Sequence, residues 1–153
     1  PGRLDANYVG EDGQKKAPVM LHRALFGSLE RFAGILIEHY AGHLPLWLSP
    51  KQIVVATITS DSNSYAEKIF ELFKKKGMRI EQDIRNEKIG YKIREHSAAK
   101  VPIIMVVGKK EAENNTVSLR RLGNQKTESF NLDEVLQILS EESLSPNNKR
   151  LHE

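Results

Sequence analysis

The chain has no cysteine among its 153 residues. Disulfides and thiolate metal sites are therefore excluded, and the composition is compatible with a cytoplasmic home. No apolar run approaches the roughly 20 residues that a membrane-spanning helix needs. A charged-then-apolar leader is also missing, and the chain opens on Pro1 without an initiating Met, as a domain taken from a longer chain would. There is no phosphate loop of the nucleoside-triphosphatase kind and no paired-glycine dinucleotide fingerprint. No nucleophile, acid and base stand in one constellation, so spacing alone gives no catalytic reading. What is present is a chain of single-domain size, 39% hydrophobic with six prolines, as expected of a globular protein with an extra segment attached.

Net charge is only +3, too small to mark the whole molecule as a nucleic-acid binder, but its distribution is uneven. From Lys74 to Lys100 nine basic residues face four acids, so this window carries +5 and the remainder −2. A concentrated patch on a near-neutral body favours a local anionic partner. The stretch Arg85 to Pro102 reads as a helix with Asn86 as N-cap and Ile89 and Ile93 as its buried stripe. Arg85, Lys88, Lys92, Arg94 and Lys100 lie along it. Such a helix suits a phosphate backbone, whose counterions each Lys or Arg releases, and it suits a solvated surface equally well.

The rest of the chain orders itself around that helix. Pro18 to Phe26 reads as a strand apolar on both sides except at His22 and Arg23, which needs neighbours on each flank. A helix follows, with Leu29, Phe32, Ala33, Leu36 and Tyr40 recurring on one face. One strand and one helix make no core. Residues 1–45 would accordingly rearrange against the following domain or pair with a second copy. Pro45 and Pro50 bracket a short packed linker, residues 46–52.

From Ile53 an alternating pattern predicts an α/β domain, residues 53–142, with a mixed sheet of about five strands, helices on its faces and right-handed first crossovers. Ile53 to Ile58 is a buried strand, and Ser64 with Glu67 has capping-box spacing before a helix striped by Tyr65, Ile69, Leu72 and Phe73. Met78, Ile80, Gln82 and Ile84 alternate with a wet face of Arg79, Glu81 and Asp83. Val101 to Val107, Thr116 to Leu122 and Lys126 to Phe130 are further strands. Asn131 caps a last helix, and residues 143–153 read as a flexible tail.

Five histidines are scattered at positions 22, 39, 43, 96 and 152. His39 and His43 have the i, i+4 spacing of metal ligands without a Glu-rich context, and they also fit the C-terminal end of a helix dipole. The residues favour a recognition surface over chemistry. Single-stranded RNA is read on splayed bases through hydrogen bonds and backbone contacts. Arg94 and Arg120 can offer a guanine two donors each. Glu111, after Gly108-Lys-Lys, is either a solvated loop acid or an acceptor for guanine N–H groups.

The block His22-Arg-Ala-Leu-Phe-Gly-Ser-Leu-Glu-Arg31-Phe resembles motif 3 of class II aminoacyl-tRNA synthetases, in the form found in threonyl-tRNA synthetases. The linker Pro45-Leu-Trp-Leu-Ser-Pro50 and the stretch Arg85-Asn-Glu-Lys-Ile-Gly-Tyr-Lys-Ile-Arg-Glu-His96 are similar to the same family, and the likeness runs from about residue 4 to residue 142. It implies the end of a catalytic domain followed by an anticodon-binding domain, in a parent that joins threonine to tRNA with ATP and is expected to be a homodimer. Arg31 would stack on the adenine of ATP, and Ser28 would line the threonine pocket. His22 would be one of three zinc ligands. The other two are absent, so no bound zinc is expected here, and the piece alone is expected to be inactive. Asn86, Arg94, Lys100, Glu111 and Arg120 would read the anticodon loop of a threonine-specific tRNA, whose anticodons share a central G and a following U. Position 100 holds Lys where relatives carry Arg, which leaves a phosphate contact in place of a bidentate one. Two alternatives stand beside this reading: a non-catalytic accessory protein with an anticodon-binding-like fold, and a sister synthetase of the prolyl or histidyl kind.

Overall fold

The structure is a computed structural model and describes residues 1–124 and 126–149. The chain divides into two compact units, Pro1–Ile35 and Leu36–Glu153. The first holds a two-stranded antiparallel ribbon, β1 (Tyr8–Val9) and β2 (Lys15–Lys16), closed by a turn with Gly13 at positive φ. Helix α1 (Leu29–His39) begins in this unit.

The strand expected over Pro18–Phe26 does not form. Among the described residues no strand pairs with it, and a strand without a ladder leaves every N–H and C=O to solvent. Its side chains are correspondingly open, with Val19 87% and Leu21 88% exposed.

The second unit carries a five-stranded sheet in the order β4-β3-β5-β6-β7. Strands β3 (Ile53–Thr57), β4 (Ile80–Asp83) and β5 (Ile103–Val107) are mutually parallel. β6 (Thr116–Arg121) and β7 (Thr127–Asn131) complete the sheet antiparallel. This is the mixed five-stranded sheet with helices that the alternating pattern predicts. Pairs of parallel strands need helical crossovers, supplied by α2 (Asn63–Lys75) and α3 (Ile89–Ala98). α4 (Lys109–Asn114), α5 (Leu132–Glu142) and a short α6 (Pro146–Lys149) follow. That last turn lies in the stretch read as a flexible tail, whose residues 150–153, with His152, lie outside the described residues.

Alternation fixes which helix covers which face. Ile53, Val55, Met105, Val107, Val117 and Leu119 join Tyr65, Ile69 and Phe73 of α2 and Leu132, Val135 and Leu139 of α5 in the main core. Val54, Ala56, Ile104 and Val106 are buried on the opposite face, where α3 packs on β3 and β5. That helix explains a departure from the sequence reading. Asp83, expected on a wet face, is 5% exposed beneath α3, and Ile84, expected in the core, is exposed beyond the strand's end. The linker is packed as expected. Gln52 donates to the Leu46 carbonyl at 2.9 Å and accepts from the Arg79 amide at 2.8 Å, and Arg79 reaches the Ser49 and Trp47 carbonyls.

Two caps differ from expectation. α2 starts at Asn63, so Ser64 lies inside it, and its N-cap Ser62 makes no capping bond. α3 is preceded by Lys88, leaving Asn86 in the loop. Asn131 does cap α5, accepting from the Asp133 amide at 3.0 Å.

Candidate nucleic-acid interface

Parallel strands β3, β4 and β5 all end at one edge of the sheet, and β6 begins there because it runs the other way. Ligands of open α/β sheets commonly sit beyond the carboxyl ends of the strands, where neighbouring crossovers leave in different directions. Here β3 pairs with β4 on one side and β5 on the other. The segments leaving this edge are Ile58–Ser62, Ile84–Lys88 and Gly108–Glu111.

Glu111 is the most constrained of the expected reading residues. It stands in the first turn of α4, not in a solvated loop, and is half-buried. One carboxylate oxygen accepts from the Gly108 amide at 3.0 Å and the other from the Ser118 hydroxyl at 2.9 Å. The first bond is the reach-back of a capping box. A side chain at Gly108 would displace Ile58 and crowd the carboxylate. A Cβ there would lie 2.9 Å from Ile58 Cδ1 and 3.1 Å from the Glu111 carboxylate. Each carboxylate oxygen has a second lone pair, so Glu111 is a fixed acceptor with capacity left over.

Ser118 and Arg120 are two apart on β6 and share the face opposite Val117 and Leu119. Arg120 is half-buried, opposite Ile104 on one side and Thr127 on the other. The hydroxyl of Ser118 thus ties an acceptor to the strand that carries a five-donor guanidinium. Asn86 is exposed in the loop at the same edge, and Arg94 is exposed on α3.

Lys100 does not join them. α3 runs from the carboxyl edge back towards the amino edge, so its ten residues carry Lys100 about 15 Å along the helix axis from that loop. Lys100 ends α3 at φ 59°, and its Nζ lies 3.1 Å from Nε2 of His43. The basic window as a whole also fails to form one patch. Lys74, Lys75 and Lys76 close α2 at the amino edge, and Arg79 is spent on the linker carbonyls. Arg85 and Lys92 are bound internally.

Periodicity alone does not reveal that internal binding. Lys92 is 1% exposed, and its ammonium donates to the main-chain carbonyls of Thr57 and Asp83, each at 3.0 Å. Its stripe partner is His96, whose Nε2 lies 2.8 Å from the Asp83 carboxylate. Arg85 binds the same carboxylate through Nε at 3.0 Å and a terminal nitrogen at 2.7 Å, and reaches Glu95 at 2.9 Å. The Arg85 guanidinium holds the Asp83 carboxyl well below the usual carboxylate range, assisted by His96 and Lys92 and opposed by burial. Burial pushes the Lys92 ammonium down, against the attraction of Asp83. Lys92 and His96 each stand three residues after Ile89 and Ile93 on the same helix face, which is the available signal; without knowing that α3 covers Asp83, it reads as surface.

In the first unit, His22, Ser28 and Arg31 are all exposed. Ser28 accepts from the Arg31 amide at 3.3 Å and donates to Glu30 at 2.6 Å. Catalytic zinc sites use three protein ligands. Among the described residues no group of three or more His, Cys, Asp or Glu could hold a metal ion, so the residues present do not fit zinc. Nor is any helix of the described residues long and apolar enough to cross a membrane.

Comparison with known proteins matches residues 52–142 to the family "Anticodon binding domain". The chain is 62% identical over 146 residues to the threonine–tRNA ligase of Caulobacter sp. (strain K31), a match covering 95% of this chain and 22% of that protein. The chain therefore spans about a fifth of the length of such relatives. Among solved structures it is similar to the RNA binding domain of threonyl-tRNA synthetase from Cryptosporidium parvum Iowa II. The TM-score there is 0.72 at 32% identity, covering 92% of this chain and 36% of the other. A prolyl-tRNA synthetase from Cryptosporidium parvum, at 20% identity and TM-score 0.58 over 71% of this chain and 24% of the other, shares the fold.

Proposed function

The chain belongs to the anticodon-binding-domain family, and from that premise we propose that its second unit reads the anticodon loop of a threonine-specific tRNA. The parent would be a threonine–tRNA ligase, joining threonine to tRNA at the expense of ATP, cytoplasmic and homodimeric. In this reading residues 1–45 are the end of its catalytic domain, 46–52 the linker, 53–142 the reading domain and 143–153 a tail. His22, Ser28 and Arg31 would contribute to zinc, threonine and ATP sites only together with groups beyond this chain. The piece by itself would bind RNA without making an aminoacyl-adenylate, because the other positioning groups are lacking.

The observation that carries the reading is Glu111, held at the carboxyl edge by the Gly108 amide and by the hydroxyl of Ser118, two residues before Arg120 on the same face of β6. A carboxylate repels phosphates, so its place in an RNA site is to accept from a base. Guanine offers N–H donors on its Watson–Crick edge and acceptors elsewhere, which suits an acid beside an arginine. Asn86 and Arg94 would add base-edge and backbone contacts from the loop and α3. Lys100, at the amino edge, would serve at most a phosphate away from the reading residues.

Glu111→Ala tests this directly. It should weaken binding of the cognate anticodon stem-loop by about tenfold while changing binding of a stem-loop with the central G replaced by less than about twofold. Titration of both loops decides it. Equal losses on the two would mean that Glu111 supports α4 and reads nothing.

A further inference from the structure

The reading residues come from separate elements, and those on the α3 side have no direct tie to Glu111 or Arg120. Their placement depends on what holds α3 and the Ile84–Lys88 loop to the sheet. The geometry points to Asp83 as a positioning residue for base recognition: through Arg85, Lys92 and His96 it fixes the Asn86 loop and helix α3 relative to Glu111 at the carboxyl edge and to Arg120 on β6. This inference rests on the anticodon-reading function proposed above and says which buried group makes that reading selective.

The contacts have the form of a clamp. Asp83 is the last residue of β4, and its carboxylate oxygens accept from three different places. The Arg85 amide donates at 3.2 Å and the Arg85 side chain at 3.0 and 2.7 Å, which fixes the loop at the residue next to Asn86. His96 meets the same carboxylate at 2.8 Å from the last turn of α3. Lys92, one turn earlier, stands 3.8 Å from the carboxylate and donates to the carbonyls that end β3 and β4. Arg85 then bridges outwards to Glu95 on α3.

Every tie is charge-assisted, and the centre is nearly closed to water, where such bonds are strong and geometrically selective. An apolar contact could bury the same area, but it would let α3 slide. A forked arginine, an imidazole and an ammonium converging on one carboxylate leave a single arrangement. Simple adhesion does not require the guanidinium fork: a lysine at position 85 would keep the charge but could not span Asp83 and Glu95 together.

That difference supplies the test. Arg85→Lys preserves net charge on an exposed side chain, and Asp83→Asn removes the centre of the clamp. Both variants are titrated with the cognate anticodon stem-loop and with the loop whose central G is replaced, alongside the wild-type chain. Thermal unfolding and amide exchange in β5 report whether the sheet is intact. We expect the preference for the cognate loop to fall by about tenfold in each variant, with binding of the substituted loop within about twofold of wild type and β5 protection retained. If Asp83→Asn does not fold, Arg85→Lys decides alone. Undiminished preference in a folded Arg85→Lys chain overturns the positioning role and leaves the reading function standing. A wild-type chain without preference between the loops overturns both.

Discussion

At the scale of single residues, Asp83 and Glu111 show how a carboxylate takes its role from its surroundings. Both were legible as acids near a basic helix, and neither environment was. Alternation put Asp83 on a wet face because a strand's period says which residues share a face, not what covers it. Glu111 lay in a loop until the Gly108 amide and the Ser118 hydroxyl gave it partners. The two predict different behaviour. Unfolded, Asp83 titrates near the ordinary carboxylate value of about 3.9; folded, the Arg85 guanidinium holds it lower. Its contribution to stability is therefore fully present above the unfolded value and is lost as pH falls through that value towards the folded one. Denaturant unfolding of wild type and Asp83→Asn should differ by a constant amount above about pH 5 and converge below about pH 4. A difference that persisted undiminished into strong acid would show that the carboxylate's charge is not what stabilises the fold.

At the scale of elements, the five-strand sheet and the main crossover helices were readable because apolar periodicity and buried strands agree. Val117 and Leu119 face the core, and Leu132, Val135 and Leu139 stripe α5 as their spacing implies. Caps were less readable, since Ser and Asn near a helix start are interchangeable until the backbone chooses among them. The chain contains an internal control. Asn131 caps α5 through the Asp133 amide, whereas Ser64 has the sequence of a cap but sits inside α2. Asn131→Ala should cost about 1 kcal/mol of unfolding free energy and Ser64→Ala less than about 0.5, measured by urea denaturation. Similar losses would contradict this assignment of caps. The strand expected at Pro18–Phe26 failed for a different reason: its apolar pattern is genuine, but a ladder needs a neighbour and none of the described strands supplies one.

At the scale of the whole molecule, charge counted along the sequence overstated the electrostatic surface. Nine basic residues between positions 74 and 100 suggest one strip, yet three end α2, two are bound around Asp83, and one each is turned to the linker and to His43. Of that window Lys88 and Arg94 remain for phosphates near the carboxyl edge, joined there by the exposed Lys109 and Lys110 at the start of α4. Each phosphate neutralised on a single strand contributes about −0.7 to the slope of log affinity against log salt. Four contacts give about −3, whereas a nine-residue strip would give about −6. The site is therefore built more for choosing bases than for gripping backbone. The most direct measurement is a titration of the unmodified chain at near-physiological salt, with the threonine-specific anticodon stem-loop and its counterpart lacking the central G. The account predicts that the substituted loop binds more weakly by about 1–3 kcal/mol, with a salt slope near −3 for both. Equal affinities with a steep common slope would contradict it.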